Sequence, residues 1–248
     1  MLRKIKDAII KMFFPPDNKC MICGKELFKD TKHCLCDNCF SNLPFKDSCV
    51  CIKCGDSITG EGNYCLSCKN NANKPYNKAF APFKFKDSIV KIIHDLKYNN
   101  QKWIAPFISE FLVDEVLQQN VSVDVIIPIP LNIKRYNERG FNQSEIICEK
   151  LVTKLNMKVD VTSLVRSKYT KTQTNLTRAE RSENLKDAFT VQNKEAIKGK
   201  SILLVDDVFT TGATMEEACK VLRKAGAKNI YCLTIAHVEK PKQTEKIN

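Results

Sequence analysis

The stretch Ser201-Ile-Leu-Leu-Val-Asp-Asp-Val-Phe-Thr-Thr-Gly-Ala-Thr214 constrains this chain more than any other. Ile202 to Val205 form a short uninterrupted apolar run, the pattern of a strand buried on both faces of a parallel sheet. Asp206 and Asp207 follow where that strand should emerge. Thr210, Thr211, Gly212 and Thr214 then lead into an amphipathic helical pattern, Met215 to Ala225, with Gly226 as its C-terminal stop. A strand, a hydroxyl-rich turn and a helix start together make an anion site. Backbone N–H groups and the positive end of the helix dipole point at one spot. The two carboxylates narrow the choice of ligand. They repel a bare phosphate, whereas a sugar phosphate places its hydroxyls on Asp206 and Asp207 and its phosphate on residues 210–214.

Upstream, Asp124-Val-Ile-Ile-Pro-Ile-Pro130 reads as the first buried strand, ended by its prolines. Leu131 to Ser144 reads as a basic loop carrying Lys134, Arg135, Arg139 and Gly140, with a helix from about 143 to 155. On a doubly wound sheet this second anion site opens at the same edge as the aspartate loop, because ligands collect at the carboxyl ends of parallel strands. Ala79 to Phe85 alternates as a strand, and Asp87 is placed to cap a helix over 88–97. His94 on that helix is expected to be structural, and residues 101–119 read as a further helix. Residues 167–176 are polar and suit a lid. Thr177 with Glu180 forms a capping box, which puts Arg178 and Arg181 in the first turns of a short helix.

Thirteen cysteines in a chain whose first residues, with no continuous apolar stretch, do not read as a signal peptide call for an explanation other than disulfides. Eight of them form Cys20-x-x-Cys23, Cys36-x-x-Cys39, Cys51-x-x-Cys54 and Cys65-x-x-Cys68. Each pair lets two thiolates of one tight turn grip the same ion, and two such knuckles complete a tetrahedral zinc site. Two structural zinc ions are therefore expected, at 20/23/36/39 and 51/54/65/68; the spacing is also compatible with the first knuckle pairing with the third. Gly24 and Gly55 follow a knuckle, where a positive φ is often needed. Cys34, Cys49 and His33 are spare, and Cys148, Cys219 and Cys232 fall where they should pack in helix or strand.

These features divide the chain into an N-terminal helix over 1–19, a double zinc ribbon over 20–70 and an α/β domain over 79–240, joined by a polar, turn-rich stretch at 69–78. In the first segment Leu2, Ile5, Ile9 and Met12/Phe13 recur at helical spacing, for docking on the protein's own body or on a membrane surface. No run of about 18 apolar residues exists, so no membrane span is expected and the location expected is cytoplasmic. The formal net charge is +12. Residues 1–78 hold 13 basic and 8 acidic side chains, against 27 and 20 beyond, and eight thiolates with two zinc ions would nearly neutralise the head. Affinity for single-stranded DNA is therefore expected from the basic surfaces beyond residue 78.

The aspartate stretch resembles the binding loop of type I phosphoribosyltransferases, which hold 5-phosphoribosyl-1-diphosphate (PRPP). A narrower resemblance, to the ComF family, rests on the four Cys-x-x-Cys knuckles, Leu96-Lys-Tyr98, Arg139-Gly-Phe-Asn-Gln-Ser144, Thr172-Gln173 with Leu176, Arg178, Arg181, Asn184 and Phe189, and Val205-Asp-Asp-Val208 through Thr214. It implies a zinc-ribbon head on a type I phosphoribosyltransferase fold, handling of single-stranded DNA in natural competence, and a helicase-like partner. It also implies Mg²⁺–PRPP bound by Asp206, Asp207, Val208, Thr210, Thr211, Gly212, Ala213 and Thr214, with Arg135, Arg139, Arg178 and Arg181 facing the diphosphate. Asp206 and Asp207 are the residues expected to serve catalysis. Purine-specific relatives carry an aspartate three residues after the second acid, serving as base toward the nucleobase. Thr210 stands there, which disfavours purine salvage and leaves pyrimidine-like transfer as the alternative to a binding role.

Overall fold

In the computed structural model, residues 19–27, 35–58, 62–71, 73–99, 101–167 and 184–239 are described. The predicted helix over 1–19, the 167–176 lid beyond Ser167, the Thr177/Glu180 capping box, Arg178, Arg181, His33 and Cys34 lie outside the described residues.

The core is a parallel sheet. Strands β1 (Lys78–Phe80), β2 (Phe83–Lys84), β3 (Val125–Pro128), β6 (Ser201–Phe209) and β7 (Asn229–His237) assemble in the order β1-β7-β6-β3, with β2 also on β7. The expected single strand over 79–85 is thus two short pieces, β1 and β2, with Ala81-Pro82 between them. Between β3 and β6, β4 (Leu164–Arg166) and β5 (Phe189–Val191) form an antiparallel pair of their own.

β6 is longer than its apolar run suggests. It continues through both aspartates to Phe209, because β7 still offers partners, Val208 opposite Ala236 and Phe209 opposite His237. The acids therefore sit on the rigid end of a strand and not in the turn after it.

Helices cover both faces. On one lie α3 (Asp87–Tyr98), α4 (Ile104–Gln119) and α6 (Gln143–Leu155), whose apolar residues pack with Leu203, Val205, Leu233 and Ile235. On the other lies α7 (Ala213–Lys224), packing through Met215, Ala218, Cys219 and Leu222 against Ile202, Leu204 and Cys232. Cys148, Cys219 and Cys232 are fully buried packing residues.

Two sequence expectations fail here. Asp87 does not cap α3; the cap position is Lys86, and Asp87 itself takes φ 49°. The supposed loop over 131–144 contains a helix, α5 (Ile133–Arg139), capped by the Asn132 side chain accepting from Lys134 N–H at 3.0 Å and stopped by Gly140 at φ 74°. Its apolar side chains Ile133 and Tyr136 are exposed, so no buried stripe announced it.

The cysteine-rich head is joined to the sheet edge by backbone hydrogen bonds. Lys84 N–H donates to Pro44 O at 2.8 Å and Lys46 N–H to Pro82 O at 2.9 Å, pairing Phe45 with Phe83. Farther along the edge, Ala79 N–H donates to Lys53 O at 2.8 Å. Gly55 packs so closely on β1 that a Cβ there would fall 2.8 Å from Ala79 O. The head contributes two short helices, α1 (Asp37–Ser41) and α2 (Leu66–Asn70), each beginning at a cysteine of its knuckle.

Candidate ligand site and metal centres

The cysteines gather as 20/23/36/39 and as 51/54/65/68, with the four sulfurs of each set within 4.8 Å of one another. Cys23 and Cys36 sulfurs are 3.7 Å apart, and Cys54 and Cys65 sulfurs 3.6 Å. Four thiolates around a tetrahedral zinc with bonds of ~2.3 Å stand about 3.8 Å apart, so the donor sets fit that ion. Gly24 and Gly55 take φ 74° and 71°, folding each knuckle back. In the second set, hydrogen bonds from Cys54 and Cys68 push Cys51 toward the thiolate, while the same crowding pushes Cys54 up. A bound cation removes that conflict by taking all four as thiolates.

The second centre is the carboxyl end of β6. Asp206 Oδ1 accepts from Ser144 Oγ at 3.2 Å and from the Asp207 N–H at 2.9 Å. Asp207 is buried, and its Oδ2 accepts from Gln143 Nε2 at 2.7 Å and faces Lys97 Nζ at 2.8 Å. Burial, followed by the charge of Asp207, pushes the Asp206 carboxyl up to about 7, against the pull of Lys97. Arg166, half-buried at the end of β4, is brought down to about 10 by its partial burial and by the charge of Arg135, with Asp206 pulling the other way. Lys97 from α3 and Arg166 from β4 thus bring positive charge to the acid pair.

The turn after β6 is equally specific. Gly212, at φ 82°, is the cap position of α7, and a Cβ there would meet the Phe209 ring at 2.7 Å. Thr211 Oγ1 accepts from Ala213 N–H at 3.4 Å, and the first-turn N–H groups of α7 lack intrahelical partners, as at any helix start. Thr210 to Thr214 therefore bend around the N-terminus of a 12-residue helix directly beyond the carboxylates.

Family models match a double zinc ribbon domain over residues 9–69 and a phosphoribosyl transferase domain over 141–248. Among relatives, the DNA utilization protein YhgH of Escherichia coli is 36% identical over 57% of this chain and 65% of its own length. Competence protein F of Haemophilus influenzae is 34% identical over 58% and 66%, and competence protein ComFC of Streptococcus pneumoniae 27% over 62% and 66%. The chain belongs to the ComF family. The alignments leave about a third of each relative unmatched.

For a ComF protein, the segment Arg139 to Ser144 now has a physical account residue by residue. Gly140 stops α5, and buried Phe141 carries the Lys102 ammonium 4.8 Å from its ring centre. Asn142 caps α6 by accepting from Ser144 N–H at 3.0 Å and fastens it to the residue just after β3 by donating to Ile129 O at 3.0 Å. Gln143 and Ser144 then each hold one aspartate. Arg139 lies on the outer side of this arrangement, donating to Gln143 Oε1 at 3.0 Å and to Tyr98 Oη at 3.3 Å. Arg135 lies close enough to Arg166 for its charge to act on that guanidinium.

Sequence reasoning missed Lys97 and Arg166 as members of this candidate site. Both sit on elements remote in sequence from the aspartates. The Leu96-Lys-Tyr98 triplet was the available signal: Leu96 anchors α3 in the core, Lys97 reaches Asp207, and Tyr98 meets Arg139. Among the described residues no helix is long and apolar enough to cross a membrane.

Proposed function

We propose that this ComF-family chain binds Mg²⁺–PRPP at the end of β6 and acts in the handling of single-stranded DNA during natural competence. One observation carries the ligand reading: a carboxylate pair fixed on a strand end, immediately followed by a hydroxyl-rich turn around a helix N-terminus. The geometry divides the ligand by chemistry. Asp206 and Asp207 accept hydrogen bonds from the ribose hydroxyls, and Val208 continues the strand beneath them. Thr210, Thr211, Gly212, Ala213 and Thr214 hold the 5′-phosphate through hydroxyls and helix-start N–H groups. Arg135 and Arg139 supply positive charge for the diphosphate, joined by Arg166; Arg178 and Arg181 take the same role in this reading. Magnesium, when bound, neutralises the diphosphate as a leaving group. The process is supported by the names that two relatives carry, competence protein F and competence protein ComFC.

A second reading, transfer of the phosphoribosyl group to a pyrimidine-type acceptor, is favoured by Thr210, which stands where purine-specific relatives carry an aspartate. Diphosphate release in the presence of candidate acceptors distinguishes the two.

The ligand reading is tested by calorimetric titration of Mg²⁺–PRPP into the wild type and into Asp206→Ala/Asp207→Ala. Charge-assisted hydrogen bonds contribute about 1.5–3 kcal/mol each, so the double variant should lose measurable heat while its zinc content is unchanged. Equal heats from the two proteins would overturn the assignment.

A further inference from the structure

Tyr98 is the last residue of α3 and is 62% exposed, although it lies only one position from Lys97 on the acid pair. An ordinary surface tyrosine rotates freely; this ring is held. The Arg139 guanidinium sits 4.9 Å from its centre and donates to its hydroxyl at 3.3 Å. The His94 ring, one helical turn earlier, is 4.9 Å away and tilted by 45°. Arg139 in turn reaches Asp207 through Gln143, in steps of 3.0 and 2.7 Å. A largely exposed ring is thus held at the surface, backed by a cation and tied to the acid pair by two separate routes.

We infer that Tyr98, with Arg139 and His94, is a stacking platform for a nucleobase positioned beside the acid pair. The chemistry that recognises a base without reading its sequence is an aromatic face with an adjacent guanidinium, because every base has a π-face. Lys97 and Arg166 at the acid pair supply positive charge for the phosphate that accompanies such a base. The inference rests on the proposed ligand reading only for the chemistry at the acid pair; the platform itself follows from the ring contacts.

The test uses two probes on the full chain: a fluorescently labelled twelve-residue oligothymidylate, followed by anisotropy, and uridine monophosphate, followed by equilibrium dialysis. Tyr98→Ala should weaken binding roughly 5- to 100-fold, the effect of removing one stacked base contact. Tyr98→Phe, which keeps the ring, should stay within about threefold of the wild type. Zinc content and the Mg²⁺–PRPP heat serve as controls and should be unchanged in both variants. Loss confined to the oligonucleotide assigns the platform to a strand, and loss confined to the mononucleotide assigns it to an acceptor; both outcomes support it. If the wild type gives no Mg²⁺–PRPP heat yet binds a probe through Tyr98, the ligand reading of the acid pair fails and the platform stands. The inference is overturned if the wild type binds neither probe or Tyr98→Ala binds both normally. It is also overturned if Tyr98→Ala loses the Mg²⁺–PRPP heat in parallel, because Tyr98 then only holds Arg139.

Discussion

The two faces of the sheet each carry one four-cysteine cluster, and the same knuckle chemistry serves different ends on each. On the first face Cys20, Cys36 and Cys39 join Leu35 and Leu43 in the core beneath α3 and α4. Aromatic contacts extend this anchor: the rings of Phe45 and Phe83 are 5.2 Å apart, and those of Phe83 and Phe111 5.0 Å. On the second face Cys51, Cys54 and Cys68 pack with Tyr76, whose ring meets Phe209 edge-on at 6.3 Å. Phe209 is the residue that shapes the turn at Gly212, and it also stacks on His237 at 4.7 Å. Two residues before Tyr76, Lys74 Nζ reaches Glu216 in the first turn of α7 at 2.6 Å. The first cluster anchors a helical layer; the second braces the turn between β6 and α7. Cys23 is exposed, whereas no cysteine of the second set is.

That difference predicts unequal consequences of equal damage. Cys54→Ser and Cys23→Ser should each lose about one zinc equivalent by metal analysis. Only Cys54→Ser is expected to abolish the Mg²⁺–PRPP heat, with Cys23→Ser staying within about threefold of the wild type, since an exposed ligand leaves the packing beneath it intact. Identical losses from the two would erase the distinction between the faces.

A smaller effect is expected from the brace alone. Tyr76→Ala removes a buried aromatic side chain and should cost about 3–5 kcal/mol in denaturant unfolding. Lys74→Met, which breaks the pair with Glu216, should cost less and weaken Mg²⁺–PRPP binding at full zinc occupancy. If both variants bind the ligand normally after correction for stability, the linker does not support the turn.

The smallest effect concerns the acids, which the first face holds through Lys97, Gln143 and Ser144. The Asp206 carboxyl, pushed up to about 7, keeps a proton in the folded chain that the unfolded chain releases near its ordinary value of 3.8. Its contribution to stability is therefore present at low pH and declines as pH rises from about 4 through 7. Ribose hydroxyls donate best to the charged carboxylate, so PRPP affinity should rise about tenfold between pH 6 and 8 through this group. Lys97→Met removes a cation that pulls the carboxyl down and should move the midpoint upward, whereas Asp206→Asn should flatten the response. A midpoint unmoved by Lys97→Met would separate the first face from the acid pair.

What could be read in the sequence depended on whether a physical signal was local. The apolar run before Asp206 and the amphipathic pattern after Gly212 announce β6 and α7, because burial on a strand and on one helix face leaves distinct periodicities. The extension of β6 to Phe209 was not legible, since it depends on the length of β7 beside it. Helix α5 was hidden because Ile133 and Tyr136 face solvent, although Asn132 and Gly140 were its punctuation. The knuckle spacing announced metal sites but left the partner of each knuckle open; the chain path over the two faces brings first to second and third to fourth. The Leu96-Lys-Tyr98 triplet drew notice to Lys97 but not to its partner, since nothing around residue 97 records that Asp207 lies 2.8 Å away.

The attachment of the head along β1 and β2 bears on how the chain survives in a metal-poor cell. An uncovered strand edge is a template for pairing with any other extended chain. Here Pro44 to Lys46 and the Lys53 carbonyl occupy that edge, and both belong to the segments that the cysteine knuckles fold. Zinc scarcity during synthesis would leave the edge open, turning a shortage of an ion into self-association of newly made chains. Supply of the metal would thereby act as a checkpoint on solubility, ahead of any ligand the finished protein meets.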